Sequence, residues 1–245
     1  MKHALRHEEN NLLIYSWCLC AFVAEITKFS CMNILVTAGP THEYIDRVRY
    51  LANMSSGKMG YELAQAAKGQ GHQVTLVSGP TGLKAPTGVR LIKVTSARQM
   101  YQAIMKAYPK TDAVIMAAAV SDYTPAHCVK GKLKKSGKMF NLKLIPTVDI
   151  LRKLGQSKSK RVLIGFALET SPLAKGDSGG CSTARLNALK KLKAKNLDYV
   201  VLNSPDAFGN DRSTIEIYSR QGLIKRFSNT SKKHISGFIM GLLNT

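Results

Sequence analysis

Hydrophobic residues along this chain fall into two rhythms. Short, mainly apolar runs lie at 33–39 (NILVTAG) and 73–79 (QVTLVSG), both closing on Gly, and at 90–94 (RLIKV), 112–120 (DAVIMAAAV), 161–169 (RVLIGFALE) and 199–203 (YVVLN). Runs that are apolar on both faces suit strands in the interior of a parallel sheet. Between them lie stretches of helical period. The first, 57–70, puts Met59, Leu63, Ala66 and Ala67 on one side; others run from the N-cap candidate Ser96 to Tyr108, and over 149–154, 184–195 and 231–243. Strands at 214–218 and 223–227, joined by Arg220-Gln221-Gly222, read as an antiparallel hairpin at the sheet edge. Strand and helix alternating at this spacing predict βαβ units in a doubly wound α/β fold with a mostly parallel sheet.

Two segments break the alternation. Residues 130–146, KGKLKKSGKMFNLKLIP, alternate Lys with apolar residues on either side of Ser136-Gly137. That period of two predicts a β-hairpin flap, basic on its polar side, projecting from the α/β body. Leu133, Phe140, Leu142 and Leu144 on its apolar side need cover, which predicts a homodimer made partly through the flap. Residues 171–183, rich in Ser, Gly and Pro, predict a mobile loop. Residues 1–31 match neither rhythm. Their apolar stretch from Leu12 to Ile26 contains Ser16 and Glu25 and is short for a span of about 20 residues. A weak signal sequence, a docking helix and an extension upstream of the folded unit all stay open. The organised domain is expected over 32–245.

Composition changes one thing. At 245 residues, with 44% hydrophobic and 21% charged residues, the chain suits one large globular domain. Its 36 Lys and Arg against 15 Asp and Glu, a formal +21, point to an anionic partner or reflect a basic proteome. Nucleic acid and small polyphosphates both qualify. Nucleic-acid binding calls for aromatics interleaved with the basic residues, and the flap offers only Phe140 and the nearby Tyr123, so neither nucleic acid nor membrane is expected as a partner. The five cysteines are odd in number; Cys18 and Cys20, one residue apart, form no C-x-x-C pair, and free thiols in a reducing, cytoplasmic setting are expected.

Four constellations carry candidate chemistry. Gly39 closes the first strand, where open α/β sheets bind ligands, but no G-x-G-x-x-G follows to support a dinucleotide. Asn53-Met54-Ser55-Ser56-Gly57-Lys58 opens the next helix, an anion site or simply a helix capped by Ser55 or Ser56; the order Ser-Ser-Gly-Lys is not that of a P-loop. Ala117-Ala118-Ala119-Val120-Ser121-Asp122 ends the fourth strand. Its small side chains permit close approach of a base or phosphate, or tight packing, and Asp122 can hold magnesium or a sugar hydroxyl. Lys130, Lys132, Lys134, Lys135 and Lys138 supply mobile positive charge suited to a triphosphate and its leaving pyrophosphate, or form a solvated face.

Taken in order, these segments resemble phosphopantothenoylcysteine synthetase, the ligase half of the bifunctional bacterial coenzyme A biosynthesis protein. The resemblance is carried by ILVTAGPTHEYIDRVRYLANMSSGKMG (34–60), VTLVSGPT, AAAVSDY, KGKLKK, PTVDIL, GFALET and KNLDYVVLN, and covers almost all of the chain from Met32 on. It implies a Rossmann-like three-layer α/β/α fold with a protruding basic β-flap that serves in dimerisation. It also implies CTP as co-substrate, Mg2+ as cofactor, and 4'-phosphopantothenate and L-cysteine as substrates. Asn53 matches the residue that steadies an acyl-cytidylate, and Lys132 the essential lysine of a K-x-K-K motif completed by Lys134 and Lys135. Gly39, Ser55, Ser56, Gly57, Ala118, Ala119, Asp122, Asp149, Phe166, Lys191 and Lys195 match nucleotide contacts, and Asn203 with Asn53 substrate contacts. Val148 before Asp149, LNSP at 202–205 and the loop at 178–183 depart from the family's pattern. The chain has no room for the family's decarboxylase half, so either a separately encoded decarboxylase is an expected associate or the chain is a stand-alone synthetase.

Overall fold

The computed structural model describes residues 31–168, 180–204 and 209–244. The chain divides into two units, Met1–Cys31 and Met32–Thr245. The extension expected at 1–31 (with Cys18 and Cys20) lies outside the described residues except for Cys31, as does 171–179 of the Ser/Gly-rich loop.

In chain order, β1 (Asn33–Ala38) is followed by a short antiparallel pair, β2 (Glu43–Tyr44) and β3 (Tyr50–Leu51), and then by α1 (Lys58–Gly69). Next come β4 (Gln73–Ser78), β5 (Arg90–Lys93) and α2 (Ala97–Ala107). β6 (Ala113–Met116) leads to a second antiparallel pair, β7 (Tyr123–Pro125) and β8 (Leu144–Pro146), and to α3 (Ile150–Gln156). The rest is β9 (Val162–Leu168), α4 (Gly180–Ala194), β10 (Tyr199–Asn203), β11 (Arg212–Ser219), β12 (Gly222–Ser231) and α5 (Lys232–Gly241).

Eight strands form one sheet in the order β12-β11-β10-β9-β6-β1-β4-β5. Every pairing from β10 to β5 is parallel; only β11 and β12 run antiparallel, as the edge hairpin read from the sequence. The six parallel strands follow the 3-2-1-4-5-6 order of a Rossmann-like sheet, and the chain changes direction across the sheet between β1 and β6. Side chains alternate faces along each strand. Ile34 and Val36 of β1 pack with Leu63 and Ala67 of α1 and Ile235 and Ile239 of α5; Leu35 faces the other layer, with Met100 and Ile104 of α2, Leu154 of α3 and Leu192 of α4. Both faces of the central strands are covered, which is why their sequences read as unbroken apolar runs.

Local chemistry sets the helix starts. Ser96 caps α2: its Oγ accepts from Gln99 N at 3.3 Å, and Gln99 Oε1 accepts from Ser96 N at 3.3 Å. α1 starts differently from expectation. Its cap is Gly57 at φ 77°, not Ser55 or Ser56. The chain turns left-handed there, and a Cβ on Gly57 would lie 2.8 Å from Thr81 Cγ2 and 3.2 Å from Gly39 N.

The flap also differs. The ladder is confined to 123–125 and 144–146, and 126–143 contains no strand, although Gly137 does take a turn conformation at φ 71°. A two-stranded ribbon with nothing packed on it is marginal in water, and most of 130–143 is exposed. β6 is shorter than 112–120 because Ala117 to Val120 leave the sheet to bond with the loop after β1.

Candidate functional site

The segment after β6, the ends of β9 and β10 and the starts of α1 and α5 line a cleft of about 610 Å³, within the usual range for small-molecule sites. It lies at the carboxyl ends of parallel strands, beside the seam between β1 and β6, where open α/β sheets place ligands. Two loops are zipped together to form its floor. Ala119 N donates to Gly39 O (2.9 Å), Thr41 N to Ala119 O (3.4 Å), Ala118 N to Thr37 Oγ1 (3.1 Å) and Ser121 N to Thr41 Oγ1 (3.0 Å).

Asn53, Ser55, Ser56, Gly57, Ala118, Ala119, Asp122, Phe166, Lys191 and Asn203 all line this cleft. Asn53 Nδ2 donates to Ala119 O (3.4 Å) and Val120 O (3.1 Å), so the residue before α1 is tied to the loop after β6. Ser55 Oγ accepts from Gly57 N (3.3 Å) and Ser56 Oγ from Lys58 N (3.5 Å), which shapes the turn into α1. The first amides of α1 face the cleft with the positive end of the helix dipole behind them. Asn203 Oδ1 is buried without a hydrogen-bond partner. A ligand N–H or O–H would satisfy it.

A smaller pocket of about 190 Å³ shares Ala118, Val120, Asp122, Phe166 and Lys191 with the cleft and extends it to Thr147, Asp149 and Lys195. Lys191 Nζ donates to Phe166 O at 2.9 Å. Asp149 caps α3 through Arg152 N (3.0 Å) and pairs with Lys195 at 2.9 Å. Burial pushes the Asp149 carboxyl upward, but the Lys195 bond, the Arg152 amide and the charges of Lys195 and Lys191 outweigh it and hold it below the ordinary carboxylate value. Asp149 is therefore a carboxylate that fixes Lys195.

The flap lysines are not brought into the cleft. Lys132, Lys134 and Lys135 are exposed and absent from its lining, as is Gly39, whose carbonyl instead supports the floor. Among the described residues no three His, Cys, Asp or Glu side chains gather as a metal site. The cleft's carboxylates are Asp122 and the lysine-paired Asp149. Asp122 is exposed, which fits a magnesium ion bound through one carboxylate and the phosphates of a nucleotide.

The sequence reading gave Lys58 no role of its own within the 53–58 segment and missed Lys232. Both line the cleft. Lys58 Nζ reaches Asp211 Oδ1 (2.7 Å) and Gly209 O (3.2 Å), while the buried Lys232 donates from Nζ to Asn210 O and from its backbone N to Asp211 O. The two lysines thus grip the strap 209–211 from two helices. Burial, then the nearby Lys58 charge, lower the Lys232 pKa against the opposing pull of Asp211 and Glu62. A signal was present: each lysine is the first residue of its helix, where the dipole disfavours a cation.

Comparison with known proteins agrees with this architecture. The profile of the DNA/pantothenate metabolism flavoprotein C-terminal domain family matches residues 29–245. The "Coenzyme A biosynthesis bifunctional protein CoaBC" of Bacillus subtilis (strain 168) is 41% identical over 209 residues, 83% of this chain and 49% of that protein. The chain spans about half the length of the curated relatives it matches. A crystal structure of the C-terminal domain of the CoaBC bifunctional protein is 37% identical and superposes with a TM-score of 0.71, covering 86% of this chain and 93% of that one. The DNA/pantothenate metabolism flavoprotein from Streptococcus pneumoniae, at 21% identity and a TM-score of 0.75 over 87% and 99% of the two chains, shares the fold.

Proposed function

The chain belongs to the DNA/pantothenate metabolism flavoprotein C-terminal domain family, and from that membership and the cleft we propose a ligase that condenses 4'-phosphopantothenate with L-cysteine, using CTP and Mg2+. The observation that carries the reading is the convergence of Asn53, the α1 N-terminus at 55–57, Ala118, Ala119, Asp122, Phe166 and Asn203 on one cleft. An anion-binding helix end beside small-residue backbone, with an aromatic ring at one wall, has the chemistry to hold a nucleotide triphosphate and a second substrate together.

A carboxylate is a poor electrophile, so an acyl-cytidylate forms first: a carboxylate oxygen attacks the α-phosphorus and pyrophosphate leaves. The α1 amides meet the charge that grows on that leaving group, and Lys132, which stands outside the cleft on the exposed flap, is a second source of positive charge for it. Asp122, together with the nucleotide's phosphates, would hold Mg2+, which would supply further charge neutralisation there. The cysteine amine then attacks the acyl carbon and CMP departs, a step that depends mostly on positioning. Asn53, fixed to the β6 loop, contributes its carbonyl oxygen as an acceptor for the amine. The enzyme works in the cytoplasm.

It acts as a homodimer. Tyr44, Val48, Tyr50, Tyr123, Leu144 and Ile145, on the two short strand pairs and the turn between β2 and β3, are all exposed apolar residues, with Phe140 of the flap. A second copy laid over these short strand edges would cover them.

The test is pyrophosphate release from 4'-phosphopantothenate and Mg2+ with CTP or ATP, with and without L-cysteine. We expect release with CTP to exceed that with ATP by at least about tenfold, a barrier difference near 1.4 kcal/mol, and amide product only when cysteine is present. Equal or faster release with ATP would overturn the nucleotide assignment alone. No release with either nucleotide would overturn the ligase.

A further inference from the structure

The turn between β2 and β3 contains a buried carboxylate that the cleft chemistry does not use. Asp46 has no solvent-exposed side-chain surface. Its Oδ1 accepts from Val48 N and Arg49 N, both at 2.7 Å, closing the turn that carries it. Its Oδ2 reaches 87 residues along the chain and accepts from Leu133 N at 3.0 Å. Arg49 completes the hold: Nη2 donates to Leu133 O at 2.9 Å, while Nη1 lies 3.7 Å from Asp46 Oδ2. Two backbone bonds run beside it, Val129 N to Ile45 O (2.9 Å) and Arg47 N to Gly131 O (3.4 Å). Both polar groups of the Leu133 peptide backbone are thus engaged from one turn. The next backbone bond from the flap is Ala126 N to Lys143 O, just beyond the flap's own ladder.

Closing a turn of this kind needs only one side-chain acceptor, and Asn serves as well as Asp. The second oxygen is what the flap uses. Leu133 lies between Lys132 and Lys134, so the clasp fixes the chain where the basic motif begins and leaves the exposed loop beyond it unheld. We propose that Asp46 is a positioning residue which acts through Leu133 to set the place from which Lys132 reaches the leaving pyrophosphate. This rests on the role given to Lys132 above.

Asp46→Asn separates the two duties. Its carbonyl oxygen still accepts from Val48 and Arg49, while an NH2 replaces the oxygen facing Leu133 N–H, so donor meets donor and only the flap is released. Leu133→Pro is the complementary variant, removing the N–H and leaving Asp46 in place. Two readouts apply to each. The first is the rate of trypsin cleavage at Lys134, Lys135 and Lys138 in the otherwise folded protein, which needs no activity. The second is single-turnover pyrophosphate release in a cycle with Lys132→Gln.

We expect cleavage to quicken by about tenfold and pyrophosphate release to slow by about tenfold in either variant. In the Lys132→Gln background, Asp46→Asn should cost less than about twofold more, because both changes remove one interaction. Unchanged cleavage in both variants overturns the clasp. Rate losses that multiply across the cycle overturn its action through Lys132, since a purely structural role would add. Failure of the proposed reaction shows itself separately, as a wild-type protein that releases no pyrophosphate; the cleavage rates still decide whether Asp46 holds the flap.

Discussion

Asn53 directs its amide nitrogen at the carbonyl oxygens of Ala119 and Val120, so what it presents to a ligand is chiefly Oδ1. An acceptor there suits the second half-reaction, in which an amine approaches, better than the first, in which anions collect. Asn53→Asp turns the donor toward those two carbonyls into a carboxylate, and places negative charge beside an anionic phosphate. In single-turnover experiments we expect amide formation to slow by on the order of 100-fold, and pyrophosphate release by less than about tenfold. Equal loss in both steps would count against this division of labour. Asp149 illustrates a different lesson at the same scale: motif matching put it among nucleotide contacts, and the structure shows it paired with Lys195. Matching finds a conspicuous carboxylate but not which lysine it faces.

The same contrast between near and far runs through the elements. Strands, the Ser96 capping box and the edge hairpin were legible because each depends on neighbours within a few residues. α1 was legible as a helix, but its close approach to β1 was not. A Cβ on Gly60 would lie 2.5 Å from Ala38 Cβ and 2.7 Å from Thr37 O, whereas one on Gly69 would meet nothing within 4 Å. Gly60→Ala should therefore destabilise by about 1–3 kcal/mol through overpacking, lowering Tm by roughly 2–4 °C per kcal/mol, while Gly69→Ala leaves Tm unchanged or raises it. Equal melting of the two variants would show that α1 can shift to make room. The flap forms a ladder only at 123–125 and 144–146 because its alternation is real but, past the hold on Leu133, most of the segment is exposed. The strap at 209–211 was not legible at all, since its two lysines come from α1 and α5, helices far apart in sequence. Glu43, buried and accepting from Ala97 N at 2.8 Å, is a similar long-range contact that local pattern could not reveal.

At the scale of the molecule, the exposed apolar residues of the two short strand pairs sit on a chain carrying a net charge of +21. Such charge opposes self-association, so a dimer has to gain its stability from that apolar surface. Sedimentation at micromolar concentration should give twice the 26.8 kDa of one chain, and Ile145→Glu should shift the boundary toward the monomer. A wild-type monomer with full activity would defeat the dimer. The seam between β1 and β6 has a consequence for how the chain comes to its final shape. The bonds that join its two loops span 80 and 81 residues, and Phe166, Lys191 and Asn203 arrive later still along the chain. α1 can form while the ribosome is still translating the middle of the message, but the cleft cannot. Pairings this distant in sequence are slow to close, so a nascent chain has the first turn of α1 before it has a pocket around it, and the completed cleft is among the last features the protein acquires.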